Sequence, residues 1–110
     1  MPNDRRAATD PQAARDEASW FCAFATASRL SILRALAGGP LTIKELAAAV
    51  GAQPVNTSLC VGSLRRAGVV AVVRDGRSAR CSLAGAAVGR DRVTFRHPSG
   101  RAVTITRESP

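Results

Sequence analysis

The sequence predicts a mainly α fold with small β elements (α+β), and three observations carry that prediction. Thr42-Ile43-Lys44-Glu45 is a capping box, in which the Thr42 hydroxyl and the Glu45 carboxylate each satisfy an orphan N–H of a new helix. Gly51-Ala52-Gln53 then separates that helix from another, which Pro54 opens at its first position, where its missing N–H costs nothing. Finally, the β-branched run 69–73 meets Arg74-Asp75-Gly76-Arg77 and returns to Leu83, which reads as a hairpin. Two short helices across a tight glycine-containing turn, followed by a hairpin, make a winged helix-turn-helix. An N-terminal helix and a C-terminal β-hairpin extension flank it.

Taken in order, residues 1–9 have no apolar periodicity and are expected to be a flexible N-terminus. Asp10-Pro11 pairs an N-cap with proline at the first helical position and predicts a helix over 11–24. Trp20, Phe21 and Phe24 are its strongest apolar residues, expected on one side with Ala14, Ala18 and Ala25. A second helix over 26–37 has Thr26 or Ser28 as cap and Leu30, Leu33, Leu36 and Ala37 at helical spacing, and Gly38-Gly39-Pro40 ends it.

The capped helix runs from Thr42 to Val50 with a Leu41/Leu46 staple, and Gly51 stops it. The next covers 54–67, turning Thr57, Val61 and Leu64 inward and leaving Val55, Asn56, Ser58, Leu59 and Gly62 outward, with Gly68 suited to a left-handed end. In the hairpin that follows, Asp75-Gly76 reads as the two central residues of a type I′ turn. A last hairpin over 92–106 alternates Val93 and Phe95 with polar residues. If Pro98-Ser99 turns as type I and Gly100 takes a left-handed bulge position, Phe95 faces Val103, Thr94 faces Thr104 and Val93 faces Ile105. The expected organisation is therefore 1–9 as a tail, 10–86 as the winged helix-turn-helix domain with its aromatic helix, and 87–110 as the hairpin extension and tail.

A chain of 110 residues supports one core and excludes a two-domain enzyme with an interdomain cleft. Its net charge is +8, and Lys44 is the single lysine beside fifteen arginines. That balance favours a polyanionic partner, although arginine enrichment through composition alone would spread over the whole surface, so position has to decide. No long apolar run and no signal-peptide pattern is present, which predicts a cytoplasmic protein without membrane contact. Cys22, Cys60 and Cys81 are odd in number and far apart, which describes reduced thiols rather than a disulfide framework.

The stretch from Ala25 to Leu83 resembles the ArsR/SmtB-type winged-helix repressors. The resemblance is carried by Ser28-Arg29-Leu30, Ile32-Leu33-Arg34-Ala35-Leu36, Gly39-Pro40-Leu41-Thr42-Ile43, Glu45-Leu46-Ala47, Leu64-Arg65-Arg66-Ala67-Gly68-Val69-Val70 and Arg74-Asp75-Gly76-Arg77, in register without a gap. It implies a homodimer that binds an operator through helix-turn-helix and wing and releases it on binding an inducer, often a metal ion. This chain departs from the pattern in three places. The helix that carries the family's Cys-X-Cys metal motif has no thiol here; the C-terminal dimer helix with its ligands is replaced by the hairpin 92–106; and Leu59 and Cys60 stand in the recognition helix where the family presents polar groups.

The expected function is a DNA-binding transcriptional repressor acting on double-stranded DNA. Gln53, Asn56 and Ser58 offer donors and acceptors to base edges, while Val55 and Leu59 offer only apolar contact to thymine methyls. Thr42, Lys44, Arg65 and Arg66 flank the helices, and Arg74, Arg77 and Arg80 belong to the wing; these are the expected phosphate contacts.

The scattered cysteines and the lone His97 lack metal-ligand spacing, so no metal or other cofactor is expected, and no sequence feature assigns an inducer. Cys22 is expected in an interface or the core, Cys81 inward on the wing, and Cys60 on the recognition helix. No nucleophile-base set, phosphate loop or carboxylate cluster points to an enzyme. Trp20, Phe21, Phe24 and Phe95 fall outside the helix-turn-helix, and read either as a satellite core or, preferably, as a dimer interface. The rival function is a protein-interaction module, in which Val55, Leu59 and Cys60 form an apolar docking patch.

Overall fold

A computed structural model describes residues 10–107, so the tail expected at 1–9 and residues 108–110 lie outside the described residues. Helix α1 (Pro11–Cys22) starts as the sequence dictates: the Asp10 carboxylate accepts from the Gln12 N–H at 3.0 Å. It ends two residues before the expected Phe24, because Ala23 and Phe24 donate to Trp20 and Phe21, a tighter three-residue closure of the last turn. Helix α2 (Ala27–Leu36) is capped by the Thr26 hydroxyl, which accepts from the Arg29 N–H.

Strand β1 (Leu41–Thr42) leads directly into α3 (Ile43–Val50), whose capping box is complete: Thr42 Oγ1 accepts from Glu45 N at 3.2 Å and Glu45 Oε1 from Thr42 N at 2.9 Å. Those bonds, first the one from the Thr42 backbone, hold the Glu45 carboxyl below the ordinary glutamate value. Gly51 closes α3 in the left-handed conformation, with φ of 68°. Helix α4 (Pro54–Arg66) follows.

Among the described residues, two three-stranded antiparallel sheets complete the fold. In the first, β2 (Val70–Asp75) pairs with β3 (Ser78–Leu83), and β1 adds to the far side of β3 through Leu41 opposite Cys81 and Thr42 opposite Arg80. The hairpin turn differs from the expected one by a residue. Asp75 is paired with Ser78, so Gly76 and Arg77 are the central pair; Gly76 has φ of 63° and Arg77 does not have positive φ. Glycine first with a normal residue second is the type II′ pattern rather than I′, and Asp75 stays in the strand because only one left-handed residue is needed.

In the second sheet β4 (Ala86–Val88) pairs with β5 (Arg92–Arg96), and β5 with β6 (Ala102–Thr106). The register of β5 and β6 is the expected one, with Phe95 opposite Val103, Thr94 opposite Thr104 and Val93 opposite Ile105. Gly100 is left-handed at φ 98°, and His97 closes the loop by donating to Arg101 at 2.8 Å and accepting from Gly100 at 2.9 Å. Strand β4 is an addition that the sequence reading did not include.

One continuous core runs through the molecule. Ile32, Leu33 and Leu36 of α2 meet Leu46 of α3, Val61 and Leu64 of α4, and Val69, Val70 and Cys81 of the hairpin. Each such buried aliphatic side chain stabilises the fold by about 1.5–3 kcal/mol. Phe24 joins the two halves, with ring centroids 5.1 Å from Trp20 and 5.2 Å from Phe95. Arg34 Nε also donates to the Thr106 carbonyl at 2.9 Å, tying α2 to β6.

The aromatic helix does not use one face as expected. Trp20 is buried, whereas Ala14, Ala18 and Phe21 are exposed. Ala18 and Trp20 are separated by about 200° around a helix, so one contact cannot cover both. Cys22, expected in an interface or the core, is exposed, and Cys81 is fully buried with its thiol pushed up by burial.

Candidate nucleic-acid interface

Helices α3 and α4 cross through the Gly51-Ala52-Gln53 turn, which leaves the N-terminal end of α4 projecting beside the hairpin. A cleft of about 540 Å³ opens between them, lined by Thr42, Ile43 and Lys44 from the start of α3, Pro54 and Ser58 from α4, and Arg74, Arg77, Ser78 and Ala79 from the hairpin. Among the described residues, three cationic side chains line it and no carboxylate does. Lys44, Ser58, Arg74 and Arg77 are all exposed to solvent. Such a concave cationic surface attracts a polyanion, and the Thr42, Ser58 and Ser78 hydroxyls add neutral hydrogen-bonding groups.

Strand parity decides which arginines reach this cleft. Cys81 points into the core, and its cross-strand partner is Val72; Arg74 and Ala79 pair two positions further along and share that face, which brings Arg74 back toward α4. Arg80 pairs with Val73 and points to the opposite face, close enough to Glu45 to help hold its carboxyl down. Arg80 therefore lies outside the cleft. Ser78, which the sequence reading missed, enters it because it sits directly after the Gly76-Arg77 turn.

The other expected contacts lie along α4. Val55 and Leu59, 71% and 67% exposed, form the crest of the helix one turn apart. Asn56 is exposed on the flank that faces α2, away from the hairpin. Gln53 occupies the N-cap position, exposed, and makes no capping hydrogen bond with its side chain. Arg65 is exposed two turns after Ser58 and so on the same flank, where a cation also suits the C-terminal end of the helix dipole. Arg66 instead folds back, donating to Ser63 Oγ at 3.3 Å and lining a recess with Asp16, Trp20 and His97. It does not line the cleft.

Of the four aromatic residues expected at a dimer interface, Trp20 and Phe95 are buried within this chain and Phe24 is half-buried between them. Phe21 is exposed, on a stripe of α1 with Ala14, Ala18 and Cys22. Among the described residues no three His, Cys, Asp or Glu side chains converge as metal ligands do, and no helix is long and apolar enough to cross a membrane.

No protein-family profile matches the chain. It is 43% identical over 81 residues to the HTH-type transcriptional regulator NmtR of Mycobacterium tuberculosis, covering 74% of this chain and 68% of NmtR. Among solved structures, Rv0081 of M. tuberculosis is 36% identical with a TM-score of 0.62, over 69% of this chain and 76% of that one. The homodimeric winged helix-turn-helix DNA-binding domain of Mb0332 from Mycobacterium bovis, described as a possible ArsR-family transcriptional regulator, is 30% identical with a TM-score of 0.63, over 76% of this chain and 74% of that one. With the helix-turn-helix, the wing and this degree of identity together, the chain belongs to the ArsR/SmtB-type family of winged helix-turn-helix transcriptional regulators.

Proposed function

We propose that the protein acts as a homodimeric repressor that binds operator DNA, placing α4 in the major groove and the β2–β3 hairpin against the adjacent backbone or minor groove. The observation that carries this reading is the cationic cleft of Lys44, Arg74 and Arg77 beside the N-terminal end of α4, the end that approaches base edges in this architecture. Gln53 and Asn56 are its base-reading groups, because each offers a donor and an acceptor suited to adenine. The role is non-catalytic, needs no cofactor, and belongs to the cytoplasm. The Mb0332 domain is homodimeric, and here the Ala14, Ala18, Phe21 and Cys22 stripe of α1 supplies an exposed apolar face for the same purpose.

Selection from a random duplex pool tests the proposal. Recovered sequences should contain two inverted half-sites about one helical turn apart. A pool that stays random after several rounds would overturn specific operator binding.

A second reading is supported by the exposed apolar pair Val55 and Leu59, which suits a protein partner. Leu59→Arg separates the two: loss of a captured partner with duplex affinity unchanged favours the interaction module.

A further inference from the structure

On the side of α4 opposite the cationic cleft lies a second, smaller cavity of about 190 Å³ between α2 and α4. Ser28 and Ser31 line it from α2, and Asn56, Thr57 and Cys60 from α4. Ile32 and Val50 make its apolar wall, and among the described residues no charged side chain lines it. Thr57 is only 1% exposed, and its Oγ1 has no hydrogen-bond partner among the described residues. It faced inward by periodicity, but an inward hydroxyl normally bonds to something, since an unpaired buried one is destabilising.

An unpartnered hydroxyl on the wall of an uncharged cavity calls for a ligand that brings the missing group. The volume selects a compact one, given that a dry cavity of about 150 Å³ accepts benzene. The absence of charge in the lining selects a neutral one.

We propose that this cavity is an effector site for a compact neutral molecule with an apolar body and one hydrogen-bonding group, which pairs with Thr57 Oγ1. Phenol has that chemistry. The proposal sets its ring against Ile32 and Val50 and its hydroxyl toward Thr57, whose Oγ1 is covered until a small side-chain shift opens it to the cavity.

The site also has a consequence for regulation, which rests on the proposed DNA-binding role. Asn56 belongs both to the cavity wall and to the base-reading set. An occupant that engages the Asn56 amide or spreads α2 from α4 withdraws that group from adenine, so occupancy weakens duplex binding.

Phenol itself is the probe, titrated into the full chain and followed by amide and methyl NMR. Saturable shifts confined to the cavity lining on α2, α4 and, at the end of α3, Val50 and Ala52 are expected, weakened about tenfold in Thr57→Val, which keeps the shape and removes the hydroxyl. They should be lost in Ser28→Leu, which fills the cavity from an exposed position, while the remaining spectrum reports that this variant is folded. No saturable shift in the wild type, or shifts indifferent to both variants, overturns the site; so does a ligand-bound crystal structure with only water beside Thr57.

A second titration measures duplex affinity with and without phenol. A several-fold loss supports the effector role, and an unchanged affinity with the cavity filled overturns it. Absence of any duplex binding would refute the DNA reading alone, because the NMR shifts report on the cavity without DNA.

Discussion

The wing-facing flank of α4 and its crest differ in how they are made. On the flank, Lys44, Ser58, Arg74 and Arg77 come from three elements and converge only because a capping box, a glycine turn and a II′ hairpin place them. The crest is Val55 and Leu59 on one helix, exposed by periodicity alone. Charge sits on the flank and apolar surface on the crest. Affinity for a polyanion and discrimination among sequences are therefore assigned to different residues, the first well provided and the second thin.

Arg74→Ala combined with Arg77→Ala should have the largest effect on that division. Duplex affinity at low salt is expected to fall about 10–100-fold, equally for all sequences, as read by fluorescence anisotropy. A loss restricted to one preferred sequence would break the comparison, because it would put base readout in the wing.

Thr42→Ala acts on the framework behind the flank. Losing the cap should cost about 1 kcal/mol of stability in urea unfolding. The pH dependence has a definite sign: the Glu45 carboxyl is held below its ordinary value, so its contribution is present at neutral pH and is lost as pH falls below about 4.5 through the lowered folded value. Glu45→Gln should flatten that acid limb relative to the wild type, whereas Thr42→Ala keeps the backbone N–H that does most to hold the carboxyl down. An identical limb in Glu45→Gln and the wild type would detach Glu45 from it.

The smallest effect is expected from Arg66→Ala. Its guanidinium lies by Ser63 and α1, so duplex affinity should change by less than about twofold. A loss comparable with that at Arg74 would extend the binding surface along the whole of α4.

Local chemistry made most of the fold legible. The Thr42–Glu45 box, Gly51, Gly68 and the Pro98-Ser99-Gly100 loop each demand one backbone geometry, and the loop alone fixed the register of Phe95 against Val103. Strands β1 and β4 left no signal, being two and three residues long and too short to alternate. The turn at Gly76 differs from the expected one by one residue because Asp-Gly and Gly-Arg are both acceptable central pairs.

In the candidate site, the convergence of Lys44, Arg74 and Arg77 followed from the element order. The outward turn of Arg80 was available from the inward position of Cys81 beside it, since neighbours in a strand face opposite ways. The position of Arg66 was not available, because a long side chain chooses among rotamers by contacts made only in the fold. Nor could the sequence show that Thr57 lacks a partner, which depends on the spacing of α2 from α4.

The salt dependence of duplex affinity tests the central claim most directly, measured side by side for the wild type and the Arg74→Ala, Arg77→Ala double variant. If the cleft grips phosphates, the logarithm of affinity should fall linearly with the logarithm of salt concentration, and the double variant should reduce the slope by about 2. No duplex binding by the wild type at low salt, or the same slope in both proteins, would contradict the account.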